Sequence, residues 1–367
     1  MLEINYNNCI TNLSNYILKY YNAKTFHNSL ELVDKELSTN KPKNIVLILL
    51  DGLGSKILNE SLNKEDFLYK NKKCDILSVL PTTTTAATTS VMSGLNPVEH
   101  GWIGWDVYFK DIDKIVTLFT NKIKDTEQIA EEYNVAKEKM PYKDFCELIN
   151  EANRDICTTK LFPFGNNKYE NFKDAMDRVV KTCNNNKENF IYVYHDNPDK
   201  IMHKTGTKSI ETYNTIKELN EEIEKLSNKL KNTTIVVIAD HGHIDSEPIY
   251  LTDYPEILDT LRIDISIESR ACAFFVKKDK KEKFEEIFKK YFSKDFILYN
   301  KNEIVEKNML GVGKENIYFE DAIGDYMAFG ISNKYFRSNK ECKKFASQHA
   351  GITKDEMIIP LIIKNLK

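Results

Sequence analysis

The sequence lacks several features that would take it out of ordinary globular chemistry. It has no basic excess: 52 Lys and Arg stand against 55 Asp and Glu, which excludes the electrostatic footprint of a nucleic-acid polymer binder. The most basic run, "KKDKKEKFEEIFKKYF" (277–292), has acids interleaved and reads as a solvated helix face. The seven cysteines are scattered, odd in number and form no C-x-x-C, which suits reduced thiols rather than a disulfide frame. The N-terminus carries Glu3 and has no lysine before Lys19, unlike the basic start of a signal peptide. The longest apolar run, "IVLILL" (45–50), is too short to cross a bilayer. Neither an internal repeat nor a low-complexity linker breaks the chain. These absences predict a cytoplasmic protein with no membrane partner, folded as a single domain over 1–367.

Against that background three short Val/Ile-rich runs stand out: "NIVLILLDGLG" (44–54), "NFIYVYHDNPD" (189–199) and "TTIVVIADHGH" (233–243). Continuous apolar runs of this length predict strands buried on both faces of a parallel sheet covered by helices. "SIETYNTIKELNEEIEKLSNKLKN" (209–232) predicts a helix leading directly into the third strand, the order of an α/β unit. Each strand ends in aspartate: Asp51, then Asp196 and Asp199, then Asp240. A single aspartate after a strand is common turn chemistry, but parallel strands bring all of these to one sheet edge, where α/β ligands gather.

Converging carboxylates repel one another unless a cation joins them. Imidazoles occur at the same places. His203 follows Asp199 by one helical turn, and His241 directly follows Asp240. Of only seven histidines, four (His195, His203, His241 and His243) lie within six residues of a strand-end aspartate, more than scatter explains. His349 sits in the small-residue turn of "SQHAGITKDEMIIPLII" (347–363). A hydroxyl-rich segment, "VLPTTTTAATTSVMSGLNPVEHG" (79–101), crowds six threonines and a serine into positions 82 to 90. Such residues cap helices well, and one hydroxyl among them is also a candidate nucleophile; composition does not choose.

In this order the segments resemble the alkaline phosphatase superfamily, and within it the type I phosphodiesterase/nucleotide pyrophosphatase family, in its small bacterial form. The resemblance rests on "LILLDGLG", "LPTTTTAATTSVMSGLNPVEHG", "NPDKIMHKTG", "IADHGH" and "SQHAGITKDEMIIPL", and spans 44 to 363. It implies a three-layer α/β/α sandwich with a mostly parallel central sheet and a small α+β cap, here expected at about 244–348. It also implies two divalent metal ions, one held by Asp199, His203 and His349, the other by Asp51, Asp240 and His241. The gapless match from Pro81 to Gly101 makes Thr84 the implied nucleophile, bridging towards the metals. Three imidazoles among six protein ligands favour zinc, with manganese as the alternative.

The implied activity is hydrolysis of a phosphodiester or pyrophosphate, of nucleotide type, through a phospho-threonine at Thr84. Phosphomonoesterase, phosphonate hydrolase, phosphomutase and non-catalytic binding protein are the alternatives, and the absence of a C-x-P-x-R or S-x-P-x-R motif disfavours a sulfatase. The family's asparagine three residues after the nucleophile is replaced by Ala87, so a backbone N–H or the Thr85 hydroxyl is expected to take over its oxygen contact. Trp102 and Trp105 are candidates for stacking a flat substrate group, and His243 for touching substrate or orienting a ligand. His100, His195 and Asp196 are expected to be supporting residues, and Arg270 to make a surface ion pair.

Overall fold

The computed structural model describes residues 5–31, 33 and 41–367. Of the N-terminal stretch weighed above as an export signal, residues 1–4 lie outside them. The central sheet has six strands: β1 (Asn44–Leu50), β2 (Lys72–Leu77), β6 (Cys157–Leu161), β7 (Asn189–His195), β8 (Thr233–Ile238) and β17 (Ile358–Leu366). Their spatial order is β2-β17-β8-β1-β7-β6. β1 is parallel to both β7 and β8, β6 is parallel to β7, and β17 alone runs antiparallel to its neighbours β8 and β2. The three apolar runs are thus the sheet's centre, and every residue of β1, β7 and β8 is buried. Strands with no solvent face gain nothing from alternation, which is why the sequence shows continuous Val, Ile and Leu there.

Helices cover both faces, giving three layers. Helices Ile10–Tyr20, Thr84–Ser93 and Phe145–Ala152 pack together as one group, and Ser55–Ser61, Phe172–Cys183 and Ile210–Lys229 form another. The last is amphipathic: Ile216, Leu219, Ile223 and Leu226 recur at helical spacing and are buried, while Ser209 caps its start by accepting from the Thr212 N–H at 3.1 Å. Burying each such side chain contributes about 1.5–3 kcal/mol.

A second sheet of seven strands stands beside the first, with the order β13-β14-β12-β11-β3-β4-β5. It is built from β3 (Asp106–Phe109), β4 (Lys114–Thr117), β5 (Lys122–Ile123), β11 (Ser266–Ile267), β12 (Ala271–Phe274), β13 (Phe296–Asn300) and β14 (Tyr326–Gly330). The segment expected to form the cap, 244–348, therefore shares its sheet with three strands from 106–123, a pairing across more than 140 residues that local pattern does not encode. Helix Lys281–Tyr291 lays Phe284, Ile287 and Phe288 on this sheet and leaves its lysines and glutamates in water, as the mixed charge pattern predicts. Two short ribbons complete the fold: β9 (Ile244–Asp245) with β16 (Ser347–Gln348), and β10 (Glu247–Tyr250) with β15 (Lys334–Arg337). Among the described residues no helix is long and apolar enough to cross a membrane.

Candidate metal centre and nucleophile

The strand ends are stitched together before any side chain is considered. Asp51 N–H donates to the His195 carbonyl at 2.9 Å, and Asp199 N–H donates to the Asp51 carbonyl at 2.9 Å. Two glycines make that approach possible. Gly52 has φ +77°, and a Cβ on it would lie 3.0 Å from Asp199 Cα; a Cβ on Gly242 would lie 1.9 Å from the Asp355 carbonyl oxygen. The glycines of "DGLG" and "DHGH" are thus close-approach residues.

Asp199, His203, His243 and His349 form one cluster whose ligand atoms lie within 4.8 Å of one another; Asp51, Asp199 and His241 form a second. In the first, Asp199 Oδ1 is 2.5 Å from His243 Nε2, 3.3 Å from His203 Nε2 and 3.8 Å from His349 Nε2. The Nδ1 atoms are held from behind: His203 by the Ser347 carbonyl at 2.9 Å, His349 by the Thr82 carbonyl at 3.1 Å, and His243 by Ser347 Oγ at 3.0 Å. Fixing Nδ1–H on an oxygen leaves Nε2 as the free lone pair, the arrangement that orients a metal-ligating imidazole. Burial pushes His349 well below the usual imidazole range, with His241 and His243 adding to the effect, and pushes His243 down to about 4. The neutral, metal-ready form is therefore favoured.

In the second cluster His241 Nε2 lies 3.3 Å from Asp51 Oδ1, and Asp240 adjoins the cluster without being one of its three members, its Oδ2 3.6 Å from His241 Nε2. Asp240 Oδ1 accepts from the N–H groups of Gly52 and His241, each at 3.0 Å, while its buried Oδ2 has no hydrogen-bond partner among the described residues. Asp51 Oδ2 accepts from the Tyr194 hydroxyl. Burial, reinforced by their mutual charge, pushes Asp51 well above the normal carboxylate range, and burial raises Asp240 as well. Buried carboxylates facing one another beside an orphaned oxygen are unstable as an apo arrangement. The donor set of buried Asp and imidazole fits divalent cations.

Thr84 opens the helix Thr84–Ser93, and its Oγ1 lies 3.3 and 3.4 Å from the Asp51 oxygens and 3.2 Å from His241 Nε2. No side chain caps this helix, because the Thr83 hydroxyl at the N-cap donates instead to Glu268 Oε1 at 2.6 Å. The first-turn N–H groups beside Thr84 are left without a side-chain acceptor. A cavity of about 480 Å³ opens on Thr84, Asp199, His203 and His349, and its wall continues through Trp105 and Glu268.

All seven residues assigned to metals in the sequence lie together here, but the flanking expectations need correction. Thr85 is fully buried with an unpartnered hydroxyl and does not line the cavity, so that hydroxyl is not the substitute for the asparagine missing at Ala87. Trp102 is buried, donates from Nε1 to the Met140 carbonyl at 2.9 Å and packs on Tyr142; of the aromatic wall, Trp105, 44% exposed, faces the cavity. His243 belongs with Asp199, in the first cluster. Arg270 makes no surface pair: it is fully buried and grips Glu356 through both Nε and Nη2, at 2.7 and 2.8 Å. His100 is a core residue bonded to Ser90 Oγ at 3.0 Å, and His195 bonds the Tyr169 hydroxyl at 2.8 Å. Three residues of the site escape sequence reasoning, and two of them, Ser347 and Glu268, carry no mark in the sequence. Tyr194 alone left a trace, as a polar-tipped residue next to the end of an apolar strand.

Comparison with known proteins agrees with this geometry. The family model for type I phosphodiesterase / nucleotide pyrophosphatase matches residues 45–351. Murine ectonucleotide pyrophosphatase / phosphodiesterase 5 superimposes with a TM-score of 0.66 at 17% identity, covering 86% of this chain and 87% of that one. Its human counterpart gives 0.68 at 15%, covering 88% and 87%. Phosphonoacetate hydrolase from Sinorhizobium meliloti 1021, solved with phosphonoformate, gives 0.66 at 14%, covering 89% and 91%. No curated protein sequence matches the chain. The likeness to these structures shows a shared fold, and the family match spans most of the chain. The chain belongs to the type I phosphodiesterase / nucleotide pyrophosphatase family, and is a metal-dependent hydrolase of phosphoester bonds built on the alkaline phosphatase-like α/β/α sandwich.

Proposed function

We propose that this protein hydrolyses a phosphodiester or pyrophosphate bond of a small nucleotide-type substrate, with Thr84 as nucleophile. The observation that carries the reading is the position of Thr84 Oγ1. It lies at a helix N-terminus, 3.2 Å from His241 Nε2 and beside the Asp51 carboxylate, and it faces the Asp199 cluster across one cavity. Asp199, His203 and His349, with His243 beside them, would hold one cation; Asp51, Asp240 and His241 would hold the other. Zinc is the expected metal, with manganese the alternative. Bound divalent cations would supply charge neutralisation and lower the pKa of a coordinated hydroxyl.

The chain's own residues do the rest. Asp51, steadied by Tyr194, and His241 orient Thr84 Oγ1. The uncapped first-turn N–H groups take the non-bridging oxygen contact that Ala87 does not make. The bond from Thr84 Oγ to phosphorus forms as the ester P–O bond breaks, and the leaving oxygen departs with a proton. Water then cleaves the phospho-threonine from the opposite side. The half-exposed Trp105 offers a face for a flat group on the substrate. An inactive threonine-to-alanine variant of the murine neighbour was solved with AMP, which supports both roles by analogy.

A phosphonate bearing a second anion is a further reading, favoured by Lys124, Arg337 and Lys343 on the cavity wall. Lys124 is paired with Asp264 at 2.7 Å, whereas Arg337 makes no ion pair among the described residues. The test is turnover by zinc-loaded protein of bis-p-nitrophenyl phosphate against p-nitrophenyl phosphate, with Thr84→Ala alongside. A higher rate on the diester, abolished in Thr84→Ala with metals still bound, is expected. Full activity of that variant would refute the mechanism.

A further inference from the structure

One carboxylate on the cavity wall has no role in holding metal. Glu268 follows Ile267, which sits at φ +74°, a conformation that a β-branched residue adopts only when its surroundings impose it. Those surroundings are tight, since a Cβ on Gly104 would lie 2.6 Å from Ile267 Cγ2. The strained backbone turns the next side chain towards the nucleophile segment. Glu268 Oε1 accepts from Thr83 Oγ1 at 2.6 Å and from the Trp105 N–H at 2.9 Å. Both bonds converge on one oxygen. Among the described residues Oε2 has no hydrogen bond, and Glu268 is partly exposed where it lines the cavity, which leaves Oε2 as the oxygen turned towards it.

We propose that Glu268 Oε2 is a specificity contact: it accepts a hydrogen bond from a hydroxyl on the group esterified to phosphorus, next to the ring that Trp105 covers. This rests on the phosphoester reading above and narrows it to substrates whose organic group is hydroxylated, as a ribonucleoside is. The position suits the role. Oε1 ties the carboxylate to Thr83, one residue before Thr84, so its distance from the reacting phosphorus is fixed through one short stretch of backbone. Burial pushes the carboxyl up to about 7, so near neutrality it is not permanently charged. Lys124, Arg337 and Lys343 share the cavity with Asp106 and Asp125. A cationic substrate group therefore meets cations as well as acids, and a neutral hydroxyl is the better match for Glu268 than an ammonium.

The test uses binding, so that it stands apart from catalysis. Dissociation constants are measured by calorimetry on the zinc-loaded full chain for a ribonucleoside 5′-monophosphate, its 2′,3′-dideoxy analogue and O-phosphoethanolamine. At about pH 8.5, where the Glu268 carboxylate is ionised and can only accept, wild type is expected to prefer the ribonucleotide over the dideoxy analogue by about 10- to 100-fold, the worth of a hydrogen bond to a charged group. Glu268→Ala should erase the preference while leaving dideoxy affinity within about twofold. Thr83→Val removes one of the two bonds on Oε1 and leaves the Trp105 N–H to hold the carboxylate, so it should keep most of the preference. No preference in wild type, equal weakening of both nucleotides in Glu268→Ala, loss of the preference in Thr83→Val, tighter binding of O-phosphoethanolamine than of the ribonucleotide, or no binding at all overturns the proposal. A hydroxyl preference without any hydrolysis of bis-p-nitrophenyl phosphate leaves Glu268 in place and refutes the catalytic reading instead.

Discussion

Replacing Arg270 by methionine removes a fully buried guanidinium from the joint between the two sheets. Arg270 binds Glu356 through two parallel bonds, at 2.7 and 2.8 Å, and gives a third to the Lys334 carbonyl. Glu356 in turn accepts from the Gly351 N–H at 2.8 Å and from Thr353 Oγ1 at 2.7 Å, and its own carbonyl accepts from the Gly242 N–H at 2.8 Å. The pair therefore fastens the loop carrying His349 to the loop carrying His241. Removing one partner leaves an uncompensated buried charge, which costs about 3–5 kcal/mol. With an unfolding entropy near 2 cal/mol/K per residue over 367 residues, that corresponds to about 4–7 °C in Tm. Arg270→Met with Glu356→Leu should recover most of the loss, because no charge is then stranded. The assay is equilibrium denaturation followed by tryptophan fluorescence and far-UV circular dichroism. A cost below about 1 kcal/mol for Arg270→Met, or a double variant as unstable as the sum of the singles, would refute the reasoning.

Three further outcomes are expected. His243→Ala should weaken one of two bound ions by about 10- to 100-fold in chelator competition and spare the other; unchanged affinity removes His243 from the cluster. Tyr194→Phe withdraws the hydroxyl that, with Thr84, donates to Asp51 Oδ2, and should lower affinity for the other ion by a similar factor, with no loss at the Asp199 cluster. Glu268 is held protonated in the folded protein up to about pH 7, whereas unfolded it ionises near 4.5. Its contribution to stability is complete below the unfolded value and is lost as pH rises through the folded one. Between those pH values wild type should therefore fall relative to Glu268→Gln, by at most about 3 kcal/mol, in urea midpoints measured across the range.

What the chain wrote locally, it wrote clearly. The strands β1, β7 and β8 are legible because burial on both faces demands unbroken apolar runs, and the glycines of "DGLG" and "DHGH" because nothing larger fits where those loops touch. Asp51, Asp199, His203, Asp240 and His241 follow from being at strand ends, and Thr84 and His349 from the order of the segments. Tertiary structure alone decided which side chains face the cavity. Thr85 and Trp102 belong to hydroxyl-rich and aromatic stretches that look functional, yet helix phase and packing turn them inward, and Trp105, three residues on, turns out. Arg270 and Glu356 are 86 positions apart, and Glu268 reaches Thr83 across 185, so no local pattern announces either contact. The physical reason is the same in each case. Periodicity records how a residue sits in its own strand or helix, while a site is made where the ends of several such elements meet, and that meeting is fixed by long-range packing.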